Sequence, residues 1–351
     1  MRSGAASGAA PPLEAGSRRN EMNNMTCEGA IVMEYEILEK AASGADLSRA
    51  DALALLEIET GSAAYYTLLG IANREARARF HGRGTIFAQI GIEASPCPVN
   101  CAFCSLAKDV FSEENRFLLP VGAAEGMTCA LVEQRVDELF LMTTANYDQQ
   151  AFLDYAARIH AHLPKGMRFV ANVGDFDRPY AEKLREAGFT GVYHIRRLGE
   201  GRDTKIEPAR RIRTMDAVRD AGLELYYCVE PIGPEHTHGE IADEIFRAKE
   251  YPVSVMAVMK RVCVPGTRLY ERGEIPAAEL AKICAVTELC VKPSRAMGVH
   301  EPDELCLMAG ANQIYAEVSV NPRDLSLSTE NSRGASIEKG RHMLVNAGWQ
   351  W

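Results

Sequence analysis

The sequence lacks the features that place a chain in a membrane or on nucleic acid. No apolar run approaches the ~20 residues that a membrane-spanning helix needs. The formal net charge is -9 at pH 7 and no long run of lysine or arginine is present, so non-specific binding to nucleic acid is not expected. The chain also has no internal repeat at solenoid periods. We therefore expect neither a membrane nor a nucleic acid among its partners.

The first residues lack the apolar core of a secretory signal peptide. Residues 1–24 are rich in Gly, Ala and Ser, which predicts a disordered leader. Without a secretion signal, the ten cysteines favour reduced thiols and metal ligands over a disulfide framework. These observations predict a cytoplasmic protein.

Two kinds of pattern divide the rest of the chain. Residues 25–84 are predicted to form N-terminal helices, because apolar positions recur there at three- and four-residue spacing. From residue 85 to 320, short β-rich runs alternate with amphipathic stretches about eight times, which predicts an α/β fold with a TIM-type (β/α)8 barrel. Residues 321–351 are predicted to form a loop followed by a helix. The predicted strands are 85–94, 136–144, 168–173, 191–195, 223–230, 253–259, 291–297 and 311–317.

Three cysteines follow the first predicted strand in SPCPVNCAFCS, residues 95–105. Cys97, Cys101 and Cys104 supply three thiolates from one loop, at the barrel end where βα loops build active sites. A four-iron cluster held by three cysteines keeps one iron open for another ligand. Structural zinc would want a second C-x2-C pair or a Cys/His pair, and neither is present at suitable spacing. A zinc site completed from elsewhere stays open as the alternative.

The C-x3-C-x2-C spacing, with Phe103 before the last cysteine, resembles the radical S-adenosylmethionine superfamily. The resemblance implies a [4Fe–4S] cluster on Cys97, Cys101 and Cys104, whose unique iron binds the amino and carboxylate groups of S-adenosylmethionine. It also implies reductive cleavage to a 5′-deoxyadenosyl radical that abstracts hydrogen from a small-molecule substrate. An electron donor such as flavodoxin or ferredoxin is implied as a partner. Phe103 would lie beside the adenine.

Longer stretches resemble the biotin synthase-like branch of this superfamily, which includes biotin synthase, HydE and methylornithine synthase. The stretches RRIRTMDAVRDAG and ELCLMAGANQIYAE carry this resemblance. Arg211, eleven residues before Gly222, matches the arginine that holds the S-adenosylmethionine carboxylate. The resemblance places five further residues near the cofactor or substrate, with helix capping or surface ion pairs as their alternative roles: Thr143, Thr144, Asn146, Arg196 and Glu200.

Biotin synthase holds a second iron–sulfur cluster in its barrel, and the resemblance leaves this feature open. Leu141 and Ala171 stand where two of its cysteine ligands would be expected. Residues from the later strands would hold a differently built second cluster or contact the substrate. These residues are Cys228, Cys263, Arg295, Tyr226 and Glu230. For the two cysteines, the alternative is that they are buried or incidental thiols.

These patterns together predict a radical enzyme of biotin synthase-like type, a transferase if it inserts sulfur. A rearrangement or maturation reaction, like those of methylornithine synthase or HydE, would need only the first cluster. A non-catalytic iron–sulfur or zinc scaffold is the alternative from another class. Arg211 at its family spacing argues against the scaffold, because a scaffold has no S-adenosylmethionine carboxylate to hold.

Overall fold

A computed structural model describes residues 34–251, 253–321, 323 and 336–351 of the protein. The predicted leader, 1–24, lies outside these residues. Residues 34–42 are helical (α1), and α2 (Arg49–Leu56) and α3 (Ala63–Arg79) follow. The apolar spacing thus predicted the helices of this segment where it is described. No helix among the described residues is long and apolar enough to cross a membrane.

Eight parallel strands close into a barrel, which confirms the predicted TIM-type fold. Around the barrel, β1 is followed by β10 and then by each earlier strand down to β4, which pairs with β1 again. Two short strands pair antiparallel beside the carboxyl end of β1: β2 (Glu93–Ala94) and β3 (Phe117–Leu118). The barrel strands are β1 (Thr85–Gly91), β4 (Glu138–Met142), β5 (Arg168–Asn172), β6 (Gly191–Tyr193), β7 (Glu224–Ile232), β8 (Val253–Lys260), β9 (Ala296–Val299) and β10 (Gln313–Ser319).

Helices connect successive strands and surround the barrel. Most begin at a side chain that accepts a hydrogen bond from the first turn, as Asp148 does from Ala151 N (2.8 Å). The C-terminal helix lies against β1 and β10, where Gly340 lets it approach Ile314. These helices are α4 (Val121–Glu133), α5 (Gln149–His160), α6 (Arg178–Glu186), α7 (Pro208–Asp220), α8 (His238–Lys249), α9 (Ala277–Val291), α10 (Glu304–Met308) and α11 (Ile337–Asn346).

The seventh barrel strand starts later than the sequence predicts. We expected it at 291–297, but α9 continues to Val291 and ends where Lys292 adopts a left-handed conformation with φ 53°. Pro293 follows, and β9 begins only at Ala296. The shift places His300 at the carboxyl end of β9, where barrel active sites lie.

The N-terminal helices cover one side of the barrel by packing on α9. Tyr65 donates from its hydroxyl to Ala278 O (3.0 Å), and Lys282 donates from Nζ to Ile58 O (2.9 Å). Arg79 donates a hydrogen bond to Glu288, which is fully buried. Helix α9 is consequently buried along most of its length although it lies outside the sheet.

Candidate active site

A cavity opens at the carboxyl ends of the barrel strands and encloses about 1200 Å³, including the space open to solvent at its mouth. The three clustered cysteines lie on one wall, and polar side chains from β1, β5, β7, β9 and β10 lie on the others. This is the position at which (β/α)8 enzymes carry their catalytic groups.

The cysteine loop folds back on itself between β2 and β3. Cys97 N donates to Leu106 O (2.8 Å), and Lys108 N donates to Cys97 O (3.2 Å). Asn100 turns the chain with φ 53°, and its amide donates to Asp109 (2.5 Å) while accepting from Asp109 N (3.1 Å). An asparagine suits this position because it tolerates the left-handed region better than most residues.

Two other loops hold the cysteine loop through backbone hydrogen bonds. Ala102 N donates to Asp203 O (2.8 Å), and Lys205 N donates to Val99 O (3.0 Å). Leu269 N donates to Ala102 O (2.9 Å) from the opposite side. The directions of the three sulfur atoms are therefore set by the loops after β6 and β8 as well as by Pro96 and Pro98.

Cys97, Cys101 and Cys104 all line the cavity as free thiols. Burial raises the pKa of Cys101 to about 11; the neighbouring Cys97 thiol adds to this, and the charge of Arg197 opposes it. Burial raises the pKa of Cys104 further above its usual range. A metal centre that binds these thiols would displace their protons. Three convergent soft donors of this kind fit a thiolate-ligated iron–sulfur cluster.

Arg211 is the basic side chain most firmly fixed in the cavity wall. Only 4% of the residue is exposed. Its Nε donates to Glu200 Oε2 (3.1 Å), and its Nη1 donates to Asp175 Oδ1 (3.3 Å). Glu200 in turn accepts from Thr204 Oγ1 (2.5 Å). Because both carboxylates are themselves held, the guanidinium has one orientation.

Asp175 contacts several hydrogen-bonding side chains besides Arg211. His194 Nε2 lies 3.1 Å from its Oδ1, and Thr214 Oγ1 donates to the same atom (3.3 Å). Burial alone would raise the pKa of Asp175, but the hydrogen bond with His194 and the charges of Arg211 and Arg210 hold that pKa well below its usual range. Burial lowers the pKa of His194. The aspartate is thus ionised and keeps Arg211 in place.

The segment after β4 contributes unequally to the cavity. Thr143 and Thr144 line it, and the Thr144 hydroxyl donates to Glu93 Oε2 (2.6 Å). Asn146 is exposed and does not line the cavity. Phe103, from the cysteine loop, does line it. The structure therefore brings Phe103 and the two threonines to the site and leaves Asn146 outside.

Arg196 and Arg197 point to opposite sides of the chain after β6. Arg196 forms an ion pair with Glu244 of α8 (3.1 Å) and does not line the cavity. Arg197 lines it and pairs with Glu230 (3.3 Å). Arg196 thus makes the ion pair that was its alternative role, and Arg197 is the neighbour that faces the cavity, because successive side chains of an extended segment alternate in direction.

Comparisons with known proteins agree with this architecture. No family model matches the chain. The biotin synthase of Methylobacterium sp. (strain 4-46) is 27% identical over 251 residues, covering 64% of this chain and 73% of that protein. The biotin synthase of Alkalilimnicola ehrlichii (strain ATCC BAA-1101 / DSM 17681 / MLHE-1) is 26% identical over 323 residues, covering 86% of this chain and 92% of that protein.

Solved structures share the fold. The FeFe-hydrogenase maturase HydG from Carboxydothermus hydrogenoformans superimposes with a TM-score of 0.76 at 15% identity, covering 95% of this chain and 82% of that one. Methylornithine synthase (PylB) superimposes with a TM-score of 0.75 at 18% identity, covering 90% and 96%. The sequence similarity to biotin synthases and the shared fold agree with the resemblance of the cysteine motif to the biotin synthase-like branch of the radical S-adenosylmethionine superfamily. They indicate an enzyme of this class, and the resemblance implies a [4Fe–4S] cluster and S-adenosylmethionine.

The structure separates the residues predicted for a second cluster. Cys228 is fully buried, and its sulfur lies within 4.8 Å of ligand atoms of Glu230 and His300. Cys263 is partly exposed and does not line the cavity. Tyr226 and Arg295 do not line it either, because Arg295 pairs with Glu138 (2.8 Å) and Tyr226 at the amino end of the barrel. The structure therefore does not bring this set together.

Sequence reasoning missed most of the polar wall opposite the cysteines. Gln89 and Glu317 are buried within otherwise apolar strands, a pattern that indicates a polar barrel interior. Arg323 pairs with Glu317 (2.6 Å) and Glu301 (2.7 Å). The other cavity residues that the sequence analysis did not name as site residues include Asn172, Tyr193, Arg197, His300 and Tyr315.

Proposed function

We propose that this enzyme holds a [4Fe–4S] cluster on Cys97, Cys101 and Cys104 and uses S-adenosylmethionine to abstract hydrogen from a small molecule inside the barrel. When bound, the cluster and S-adenosylmethionine supply an electron transfer that yields methionine and a 5′-deoxyadenosyl radical. One observation carries the proposal: three thiols, a fixed arginine and a polar wall face the same cavity within a closed barrel.

Arg211 is the residue that we assign to the carboxylate of S-adenosylmethionine. Its hydrogen bonds to Glu200 and Asp175 use Nε and Nη1, which leaves the donors of Nη2 for another anion. Because the arginine is buried and held by two carboxylates, it would bind without losing side-chain freedom. Phe103 and Thr143 would contact other parts of the cofactor from the neighbouring loops.

The opposite wall supports a small polar substrate with groups of both charges. Arg197 and Arg323 offer guanidinium groups, and Glu230 and Glu317 offer carboxylates, all within the same cavity. Aromatic side chains close the floor, where the rings of Phe87 and Tyr315 stack with centroids 5.5 Å apart. These rings would exclude water from the reacting carbon, which protects a radical from side reactions.

Sulfur insertion is the second candidate reaction, because the matched relatives are biotin synthases. A bridging iron–sulfur cluster as sulfur source needs several protein ligands on the barrel wall. Among the described cysteines outside the cysteine loop, Cys228 is the one whose sulfur lies beside cavity residues. We therefore favour a rearrangement or cleavage that uses one iron–sulfur cluster.

The test is release of 5′-deoxyadenosine by the full chain after anaerobic reconstitution with iron and sulfide. Dithionite and S-adenosylmethionine should give 5′-deoxyadenosine, measured by liquid chromatography and mass spectrometry. A flavodoxin or ferredoxin should replace dithionite as electron donor. The proposal fails if a protein containing about four irons releases none with any of these donors.

A further inference from the structure

Cys228, Glu230 and His300 form a buried group of three different metal-ligand types. The sulfur, one carboxylate oxygen and one imidazole nitrogen all lie within 4.8 Å of one another. Cys228 is 0% exposed, Glu230 7% and His300 8%. The first two side chains point inward from β7 because they are two residues apart on one strand, and His300 follows β9.

The imidazole of His300 has no protein partner for its ring nitrogens among the described residues. It lies at the cavity surface, and aromatic rings surround it: Phe87 and Tyr193 both have centroids 5.5 Å away. Burial, with a smaller contribution from the charge of Arg323, lowers the pKa of His300 to about 3. The ring is thus neutral and offers a lone pair in a place where it otherwise makes no hydrogen bond.

Glu230 and Cys228 are held by a shared neighbour. The Tyr193 hydroxyl donates to Glu230 Oε2 (2.8 Å) and also contacts the Cys228 thiol. Arg197 contacts the other carboxylate oxygen of Glu230 at 3.3 Å. A carboxylate has about four lone-pair positions, so these contacts leave room for a metal bond. Such hydrogen-bonded support is typical of the residues around metal ligands.

We propose that Cys228, Glu230 and His300 bind one mononuclear divalent metal ion, separate from the cysteine-loop cluster. Thiolate and imidazole ligands select Zn²⁺ or Fe²⁺ over Mg²⁺ or Ca²⁺. Bonds of about 2.0–2.3 Å in tetrahedral geometry put ligand atoms roughly 3.5 Å apart, so the side chains would close by little more than about 1 Å. Binding forms the metal–sulfur bond and releases the Cys228 proton to solvent, with no change of oxidation state.

Three protein ligands leave one coordination position, which faces the cavity. Metal sites built this way bind a substrate oxygen or nitrogen at the fourth position. This last role rests on the proposed function, because it requires a substrate in the cavity. Metal binding itself does not require S-adenosylmethionine, reductant or turnover.

The test uses Co²⁺ as a spectroscopic probe on the full chain with Cys97, Cys101 and Cys104 all replaced by Ala. We expect one Co²⁺ per chain, with a thiolate-to-cobalt charge-transfer band and tetrahedral d–d bands. Adding Cys228→Ala should abolish the charge-transfer band and weaken binding by more than the roughly 10–100-fold that loss of a supporting residue costs. Adding Cys263→Ala should change neither quantity. Competition with Zn²⁺ and with Fe²⁺ under anaerobic conditions identifies the preferred ion.

Two further measurements keep the test decisive if Cys228→Ala is unstable. Cys228→Ser and His300→Gln preserve side-chain size, and circular dichroism reports whether each is folded. In reconstituted wild-type enzyme supplied with Zn²⁺, one zinc should remain beside the irons and should be lost in His300→Gln. The proposal is overturned if the variant without the three loop cysteines binds no Co²⁺. It is also overturned if the cobalt spectrum of that variant is unchanged when Cys228 is replaced as well. Either result leaves the test of the proposed function, which is 5′-deoxyadenosine release by the reconstituted wild-type enzyme, as it stands.

Discussion

Arg211 Nε lies 3.1 Å from Glu200 Oε2, and both side chains are almost fully buried beside the cavity that holds the three loop cysteines. The sequence placed both residues near the cofactor but did not show that one positions the other. In the structure, Glu200 and Asp175 together fix the guanidinium that we assign to the S-adenosylmethionine carboxylate.

Replacing Glu200 should weaken S-adenosylmethionine binding without affecting the iron–sulfur site. Glu200→Gln keeps the side-chain shape but removes the charge that orients Arg211. We expect a rise of about tenfold in the dissociation constant, which is about 1.4 kcal/mol, with unchanged iron content. Equilibrium binding to the reconstituted enzyme measures this constant, and Glu240→Gln in the first turn of α8 is the control. Unchanged affinity would show that Arg211 needs no support from Glu200.

The neighbours Arg196 and Arg197 provide a matched pair of substitutions. Arg197→Ala should reduce 5′-deoxyadenosine release at least about tenfold, because Arg197 lines the cavity and its charge acts on the Cys101 thiol. Arg196→Ala should leave release nearly unchanged, since that side chain pairs with Glu244 outside the cavity. Rates are compared at equal iron content, and circular dichroism checks folding. Equal effects of the two substitutions would contradict the assignment.

Gly174 should tolerate no side chain. A Cβ at this position would lie 2.2 Å from Ala145 O, and Gly174 lines the cavity beside Thr143. Gly174→Ala should therefore displace the segment after β4 and raise the KM for S-adenosylmethionine. Gly126→Ala is the control, because a Cβ there meets nothing within 4 Å and alanine favours a helix interior by roughly 0.5–1 kcal/mol. A Gly174→Ala enzyme with wild-type KM would refute the steric argument.

Stability should fall as the pH rises through the range in which Glu288 ionises. Burial raises the pKa of Glu288 to about 8, and the nearby charge of Arg79 only partly opposes this. The folded state therefore binds a proton more tightly than the unfolded state, whose pKa is near 4.5. The stabilising contribution is complete below that value and is lost as pH rises towards and through 8.

Between pH 7 and 9 this carboxyl alone should cost about 1.4 kcal/mol of unfolding free energy. Glu288→Gln has no ionisable group at this position, so its unfolding free energy should depend less on pH over the same interval. Denaturant unfolding of both proteins at each pH measures the difference. Parallel pH profiles for the two proteins would show that Glu288 stays ionised beside Arg79.

The sequence predicted the barrel because its signals are local and repeated. Strand runs alternating with amphipathic helices define a (β/α)8 barrel without knowledge of any contact, and the cysteine spacing lies within one loop. The strand at 291–297 was placed too early because it was started directly after the helical run, whereas residues 292–295 form a connection before β9. That error concealed His300.

The polar wall could not be predicted because it arises from closure of the barrel. Glu230, His300 and Glu317 lie 70 and 17 residues apart in sequence and meet only when β7, β9 and β10 take their places in the sheet. For Arg295, the sequence match suggested a position in the cavity. The residue precedes β9, however, and lies at the amino end of the barrel.

The most direct test of the central claim compares single cysteine variants of the reconstituted enzyme for iron content and 5′-deoxyadenosine release. We predict that Cys97→Ala, Cys101→Ala and Cys104→Ala each lose the cluster and the release of 5′-deoxyadenosine together. Cys263→Ala, which removes a thiol outside the cavity, should retain both. Release of 5′-deoxyadenosine by any of the three loop variants at the wild-type rate would contradict the assignment of the cluster ligands.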